Sequence, residues 1–248
     1  TMLRKTVFAA LIGLALPAHA FDLNSMSADE KEAFGKAVRE YLVENPETIF
    51  EAVEVFRQRE AEAEAAADIN LVAANADAIF NDGFSYVGGN PEGDITVVEF
   101  MDYRCGYCKR AHTAVEELIK ADGNIRFIVK EFPVLGEASE MASAFAVAVK
   151  QLHGDAAYKA THDTLLTFNG DINEKTLRRL ATILGHDDQA ILDQMNQGSV
   201  MKEIAETRLL AARLQINGTP TFVFDDELVR GAVSLDTMTS LVAAKRQD

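Results

Sequence analysis

The sequence predicts an α/β fold: a sheet interrupted by a helical insertion and preceded by an N-terminal helical extension. Three observations carry this. The β-branched apolar runs Ile95–Met101 (ITVVEFM) and Ile125–Phe132 (IRFIVKEF) read as buried strands, with a helical pattern at Ala111–Lys120 between them. A long block of helical periodicity follows, punctuated by Gly170, Gly185 and Gly198. The chain then returns to strand texture at Thr221–Phe224 and Leu228–Val229 and closes with a helix near Leu235–Ala244.

In chain order, the first twenty residues read as a secretory signal. Arg4 and Lys5 form the charged start, Val7–Leu16 the apolar stretch, and Ala18-His19-Ala20 a small-x-small cleavage site. The apolar run is too short to span a bilayer with margin, which disfavours an uncleaved anchor. A signal at 1–20 implies export, and its style points to a bacterial periplasm, where disulfide chemistry is permitted.

Residues 21–80 read as a separate helical extension. Ser27-Ala28-Asp29-Glu30 has capping-box spacing, so a helix starts at Ala28. Phe34, Val38, Tyr41 and Leu42 form its apolar stripe. Asn45-Pro46 breaks the pattern and restarts a second helix, on which Ile49, Val53 and Phe56 continue the stripe. Glu60–Ala67 (EAEAEAAA) is rich in helix formers and has almost nothing to bury, as in a solvated helical linker. The stripe from Phe34 to Phe56 needs a cover, so the extension is also a candidate oligomerisation segment. Its spacing does not persist long enough for an extended coiled coil.

The texture changes at Asn81, where the predicted catalytic domain, 81–248, begins. Asn81-Asp82-Gly83 and Gly88-Gly89-Asn90-Pro91 are turn clusters around a short strand at Phe84–Val87. After the second main strand, helices are predicted at Ser139–Leu152, Asp155–Thr167, Glu174–Leu184 and Val200–Leu214, an insertion at about 137–214. Its apolar positions Phe145, Val149, Leu165, Phe168, Leu177 and Leu180 are core candidates. Strand, helix, strand, helical insertion, two strands and a helix is the order of a thioredoxin-type sheet interrupted by helices.

Composition bounds the function. The 248 residues are 48% hydrophobic and 25% charged, which excludes a wholly disordered chain. Net charge is −15, with 24 basic and 39 acidic residues. Such a chain lacks the Lys/Arg clusters that neutralise phosphates, so nucleic acid is excluded as a partner. The methionines are scattered and form no copper-binding motif, and His153, His162 and His186 fall at unrelated spacings that read as surface or satisfied positions.

The two cysteines decide the chemistry. Cys105-Gly106-Tyr107-Cys108 follows a strand and opens a helix. A thiol there faces free N–H groups and the positive end of the helix dipole, which favour the thiolate. Cys105 is then the exposed nucleophile and Cys108 the more buried resolving thiol, close enough to close a small disulfide. Two other readings compete. Cys105, Cys108 and His112 lie within two turns and offer ligands to Zn²⁺ or Cu(I), although structural zinc wants four. An inert structural disulfide would restrain little of the unfolded chain across so short a loop.

The run Val98-Glu99-Phe100-Met101-Asp102-Tyr103-Arg104-Cys105-Gly106-Tyr107-Cys108, with Ile216-Asn217-Gly218-Thr219-Pro220-Thr221, resembles the DsbA-like branch of the thioredoxin superfamily. The resemblance covers Phe84 to the C-terminus. The signal and the extension at Asp22–Asp68, matching more loosely, make the chain most similar to the ScsC (suppressor of copper sensitivity C) type. The resemblance implies a thioredoxin fold with a helical insertion. It implies periplasmic thiol–disulfide exchange linked to copper tolerance, through a redox-active Cys105–Cys108 disulfide and no separate cofactor. Its expected partners are unfolded or misfolded periplasmic proteins and a membrane redox partner.

The same resemblance makes Pro220 a cis proline lying against the dithiol, leaving the Thr219 backbone free to pair with an extended substrate segment. The alternative is an ordinary trans turn. It also makes Glu99, six residues before Cys105 in an apolar strand, a proton acceptor or donor for Cys108 through water. The alternative places its side chain on a solvated sheet face. Asp102, Tyr103 and Arg104 are assigned no chemistry.

The dipeptide departs from the plain oxidase pattern, with Gly-Tyr in place of Pro-His, so no imidazolium stabilises the thiolate. Lowering a thiol pKa from ~8.5 to ~4 stabilises the reduced form at pH 7 by ~4 kcal/mol. For a two-electron couple that is ~90 mV. Gly106-Tyr107 therefore leans towards isomerase or reductase behaviour. The competing function is a Cu(I)-binding chaperone or scavenger on Cys105 and Cys108, since soft sulfur suits Cu(I). Pro220 discriminates between them, because copper binding does not require it.

Overall fold

The computed structural model describes residues 26–247, so the signal expected at 1–20 lies outside the described residues. Among the described residues no helix is long and apolar enough to cross a membrane. The chain divides into two compact units, one ending at Arg59 and one running from Glu60 to the C-terminal end.

In the first unit, helix α1 (Ala28–Glu44) starts where the capping box predicts. The Glu30 amide donates to Ser27 Oγ and the Ser27 amide donates to Glu30 Oε2 at 2.8 Å. Asn45 caps its end, its amide donating to the Tyr41 carbonyl, and helix α2 (Glu47–Ala74) begins directly after Pro46. None of α1 is buried, and Phe34, Tyr41, Ile49, Phe50 and Phe56 are each about half exposed or more.

The second unit begins earlier than the change of texture at Asn81 suggests. Val72 near the end of α2 and Ile79 in the short helix α3 (Ala76–Phe80) are fully buried against Val98, Phe100 and Ile128 of the sheet. Residues 60–80 therefore belong with the sheet and not with the extension. The Glu/Ala run at 60–67 has no apolar face of its own, and the residues that dock lie just beyond it.

The sheet has five strands in the order β1-β3-β2-β4-β5. They are β1 (Tyr86–Gly89), β2 (Ile95–Met101), β3 (Ile125–Glu131), β4 (Thr221–Phe224) and β5 (Glu227–Arg230). Strands β2 and β3 are parallel, joined by α4 (Gly106–Asp122), and the other pairs are antiparallel. The insertion contains α5 (Glu137–His153), α6 (Asp155–Thr167), α7 (Glu174–Ile183), α8 (Asp188–Met195) and α9 (Gly198–Arg213), and α10 (Leu235–Lys245) ends the fold.

Strand alternation explains how both faces are filled. Ile95, Val97 and Met101 of β2, with Phe127, Val129, Phe222 and Phe224, meet α4, the insertion and α10. Val98 and Phe100, with Ile128 and Val223, meet α3 and the end of α9. Lys130 points to this second face, fully buried, donating to the Ala78 carbonyl at 2.9 Å and pairing with Asp82 Oδ2 at 2.6 Å. Five of the six core candidates in the insertion are buried; Phe168 is half-buried and packed against the core.

Candidate active site

Cys105 is the N-cap of α4, in extended conformation (φ −74°, ψ 114°). Its amide donates to the Asp102 carbonyl at 3.0 Å and its carbonyl receives the Lys109 amide at 3.1 Å, the first bond of the helix. Cys108 lies one turn into α4 on its buried side. Both thiols are free. Cys105 is 6% exposed and Cys108 0%, so the attacking thiol expected to be exposed is largely covered and retains only a sliver of access.

The cover is the loop before β4. The Thr219–Pro220 bond is cis, and Cys105 Sγ lies 3.1 Å from the Thr219 carbonyl oxygen, in donor position. The Gly218 carbonyl accepts from Thr221 Oγ1 and the Pro220 carbonyl from the Gly231 amide, both at 2.9 Å, which fixes the loop from both sides. Two segments separated by more than a hundred residues thus meet at one sulfur.

Glu99 follows the alternation of β2: it shares the face of Val97 and Met101, towards α4 and Cys108. It is 3% exposed, so the reading that placed it on a solvated sheet face is wrong. Burial, with the Glu116 charge adding, pushes its pKa up to about 8. The Cys108 thiol is pushed well above the ordinary thiol range, by burial first and by the Glu99 charge second. At neutral pH this pair holds its protons.

Residues around the site carry more than sequence reasoning assigned to them. Asp102 is fully buried; its Oδ1 accepts from the Arg104 amide at 2.7 Å and its Oδ2 from the Val134 and Leu135 amides at 2.8 and 3.1 Å. That latch fixes the approach to Cys105 and places the exposed apolar residues Val134 and Leu135 beside it. Tyr107 is 61% exposed, with the Arg110 guanidinium 4.2 Å over its ring.

Tyr103 is buried and donates to Glu131 Oε1 at 2.6 Å, as does Tyr158 at 2.5 Å. Burial raises Glu131 to about 7. The signal that singled out Glu99, an ionisable residue inside an apolar strand, was equally present at Lys130 and Glu131. His162, read as a surface or satisfied position, is buried, with Nδ1 3.2 Å from the Tyr103 hydroxyl. His112, a candidate ligand together with the thiols, instead clusters with His162 and Asp163.

Known proteins resemble this chain in both of its parts. The model of the DsbA-like thioredoxin domain matches residues 96–243, and that of the copper resistance protein ScsC N-terminal domain matches residues 30–63. A thioredoxin-like oxidoreductase from Silicibacter pomeroyi is 41% identical, covering 69% of this chain and 98% of its own, with a TM-score of 0.66. The thiol-disulfide exchange protein alpha-DsbA2 of Wolbachia pipientis is 28% identical (73% and 97% covered, TM-score 0.69). A linker-deletion mutant of Proteus mirabilis ScsC is 25% identical over 90% of this chain and 98% of its own, with a TM-score of 0.69. The chain spans about a quarter of the length of the curated relatives it matches, Na(+)/H(+) antiporters such as that of Salinispora arenicola, 28% identical over 159 residues.

Proposed function

Because the chain belongs to the DsbA-like thioredoxin family and carries an ScsC N-terminal domain, we propose that it is a periplasmic protein disulfide isomerase or oxidase working through Cys105 and Cys108. The observation that carries this is the single contact made at Cys105: a thiol at a helix N-cap, against the Thr219 carbonyl, with a second thiol one turn deeper. The Cys105 thiolate attacks a substrate disulfide, forming a mixed disulfide and releasing one substrate thiolate. Attack by Cys108 on Cys105 Sγ then frees the second substrate thiol and leaves the Cys105–Cys108 disulfide. In reverse, a substrate thiolate attacks Cys105 and Cys108 departs, needing a proton.

Glu99 is the group placed to supply that proton or take it back, since it is neutral at pH 7 and faces the resolving thiol. Thr219 and Pro220 form the wall on which an extended substrate segment pairs. The substrates are unfolded or misfolded proteins, with a membrane redox partner resetting the thiols. Export rests on the signal at 1–20. Isomerisation is favoured by the exposed stripe of the first unit, which self-association would cover, holding several dithiols around one substrate.

The test combines insulin reduction with recovery of a scrambled substrate. Wild type should act in both, and Cys105→Ser in neither. A Cys105→Ser chain as active as wild type refutes the proposal. The match to a copper-resistance family model favours a second reading, Cu(I) capture on the same two thiols. Cu(I) titration of the reduced protein separates the two: scavenging requires a stoichiometric ion, whereas exchange proceeds in its absence.

A further inference from the structure

His112, His162 and Asp163 place ligand atoms within 4.8 Å of one another, on two helices that pack together behind the dithiol. His112 is one turn beyond Cys108 on α4; His162 and Asp163 are on α6 of the insertion. His112 Nε2 is 3.4 Å from Asp163 Oδ1, and the two imidazole rings stand edge to face with centroids 5.6 Å apart. The redox reading gives none of the three a task.

The hydrogen bonds determine what His162 can offer. The Tyr103 hydroxyl has one proton and donates it to Glu131 Oε1. It can then only accept from His162 Nδ1, so His162 is the Nδ1–H tautomer and its lone pair is on Nε2. An imidazole oriented through its other nitrogen by a hydroxyl and a carboxylate behind it is the usual outer support of a metal-bound histidine.

We propose that His112, His162 and Asp163 form a binding site for a divalent transition-metal ion of the Zn²⁺/Cu²⁺ class, bridging α4 and α6 independently of the two cysteines. Two imidazoles and a carboxylate suit these ions and not Mg²⁺ or Ca²⁺, which prefer all-oxygen sets. Three protein ligands leave at least one position to water. One competitor is built in. Lys159 Nζ sits 2.6 Å from Asp163 Oδ2 and 3.1 Å from Glu116 Oε1, so its ammonium partly neutralises the carboxylate that an ion would use. Removing that charge should tighten binding, an effect that nonspecific surface adsorption would not show.

The experiment is calorimetric titration of the full chain carrying Cys105→Ser and Cys108→Ser, which denies the ion any thiolate, with Zn²⁺ and Cu²⁺ in separate arms. One equivalent per chain is expected, Cu²⁺ the tighter. His112→Gln and Asp163→Asn should each weaken binding tenfold or more, Tyr103→Phe about tenfold, and Lys159→Met should tighten it. Asp163 is partly exposed, so Asp163→Asn serves as the variant least in danger of misfolding. The parent should also melt higher with metal and the Asp163→Asn variant should not. No stoichiometric ion in the parent, unchanged affinity in His112→Gln and Asp163→Asn, or no tightening in Lys159→Met would each overturn the site.

Discussion

Two cysteines three residues apart are made unequal by their surroundings. Cys105 retains a margin of access at the helix start, and Cys108 has none. Iodoacetamide should therefore modify Cys105 first in the reduced protein, and faster labelling of Cys108 contradicts the assignment. Cys108→Ser should accumulate mixed disulfides with substrate, visible on non-reducing gels, because nothing resolves them. Glu99 gives a second prediction. Its pKa is about 8 when folded, against the ordinary carboxylate value of 4.5. Below pH 4.5 it is protonated folded or unfolded and costs nothing. Between 4.5 and 8 the unfolded chain loses that proton and the folded one keeps it, so stability falls as pH rises. Each unit is worth ~1.4 kcal/mol at most. Glu99→Gln removes this share, and denaturant melts between pH 5 and 8 should show a flatter decline than wild type, by at least ~1 kcal/mol. Parallel curves would mean that Glu99 titrates normally. The carboxylate was legible in the sequence because Glu99 is the one ionisable residue in the strand ITVVEFM. The Tyr103–Glu131–His162 contacts were not, since they join residues 28 and 59 positions apart that no local pattern relates.

Elements with strong local signals were read to within a residue or two: α1 from its capping box, β2 and β3 from their β-branched runs, and α6 between Gly154 and Thr167. Helix α8 was missed. It has eight residues and two buried side chains, Ile191 and Leu192, too few to set a period, although its Asp187 N-cap was there to be seen. The boundary between extension and catalytic domain was set about twenty residues too late, for a different reason. The docking of this stretch rests mainly on Val72 at the end of α2 and Ile79 of α3, whose partners are in the sheet and not in the segment itself. The structure makes that docking a testable matter of packing. Ile79→Ala should cost about 2–4 kcal/mol. A chain starting at Asn81 should be less stable than one starting at Glu60, because it uncovers Val98, Phe100 and Ile128. Equal melting of the two truncated chains would mean that α3 contributes little.

At the scale of the molecule, the apolar stripe of the first unit and the dithiol of the second are separate in sequence and, on the proposed function, joint in effect. Light scattering of the chain lacking residues 1–20 at tens of micromolar should give an oligomer. The chain from Glu60 on should be monomeric, still reduce insulin, and recover scrambled substrate poorly. A monomeric full chain removes the premise, and an unimpaired truncation removes the link to isomerisation. The strand order carries one more consequence, for the timing of assembly. Strand β4 lies beside β2, with Val98 paired to Val223, and all five insertion helices intervene in the chain. Closing that loop brings together segments separated by the whole insertion, a non-local pairing of the kind that forms only after its entropy cost is met. The carbonyl of Thr219 reaches Cys105 only when this pairing forms. A chain made from its N-terminus therefore carries its two cysteines, through the synthesis of the whole insertion, without the wall that orients them, and its reactivity matures late.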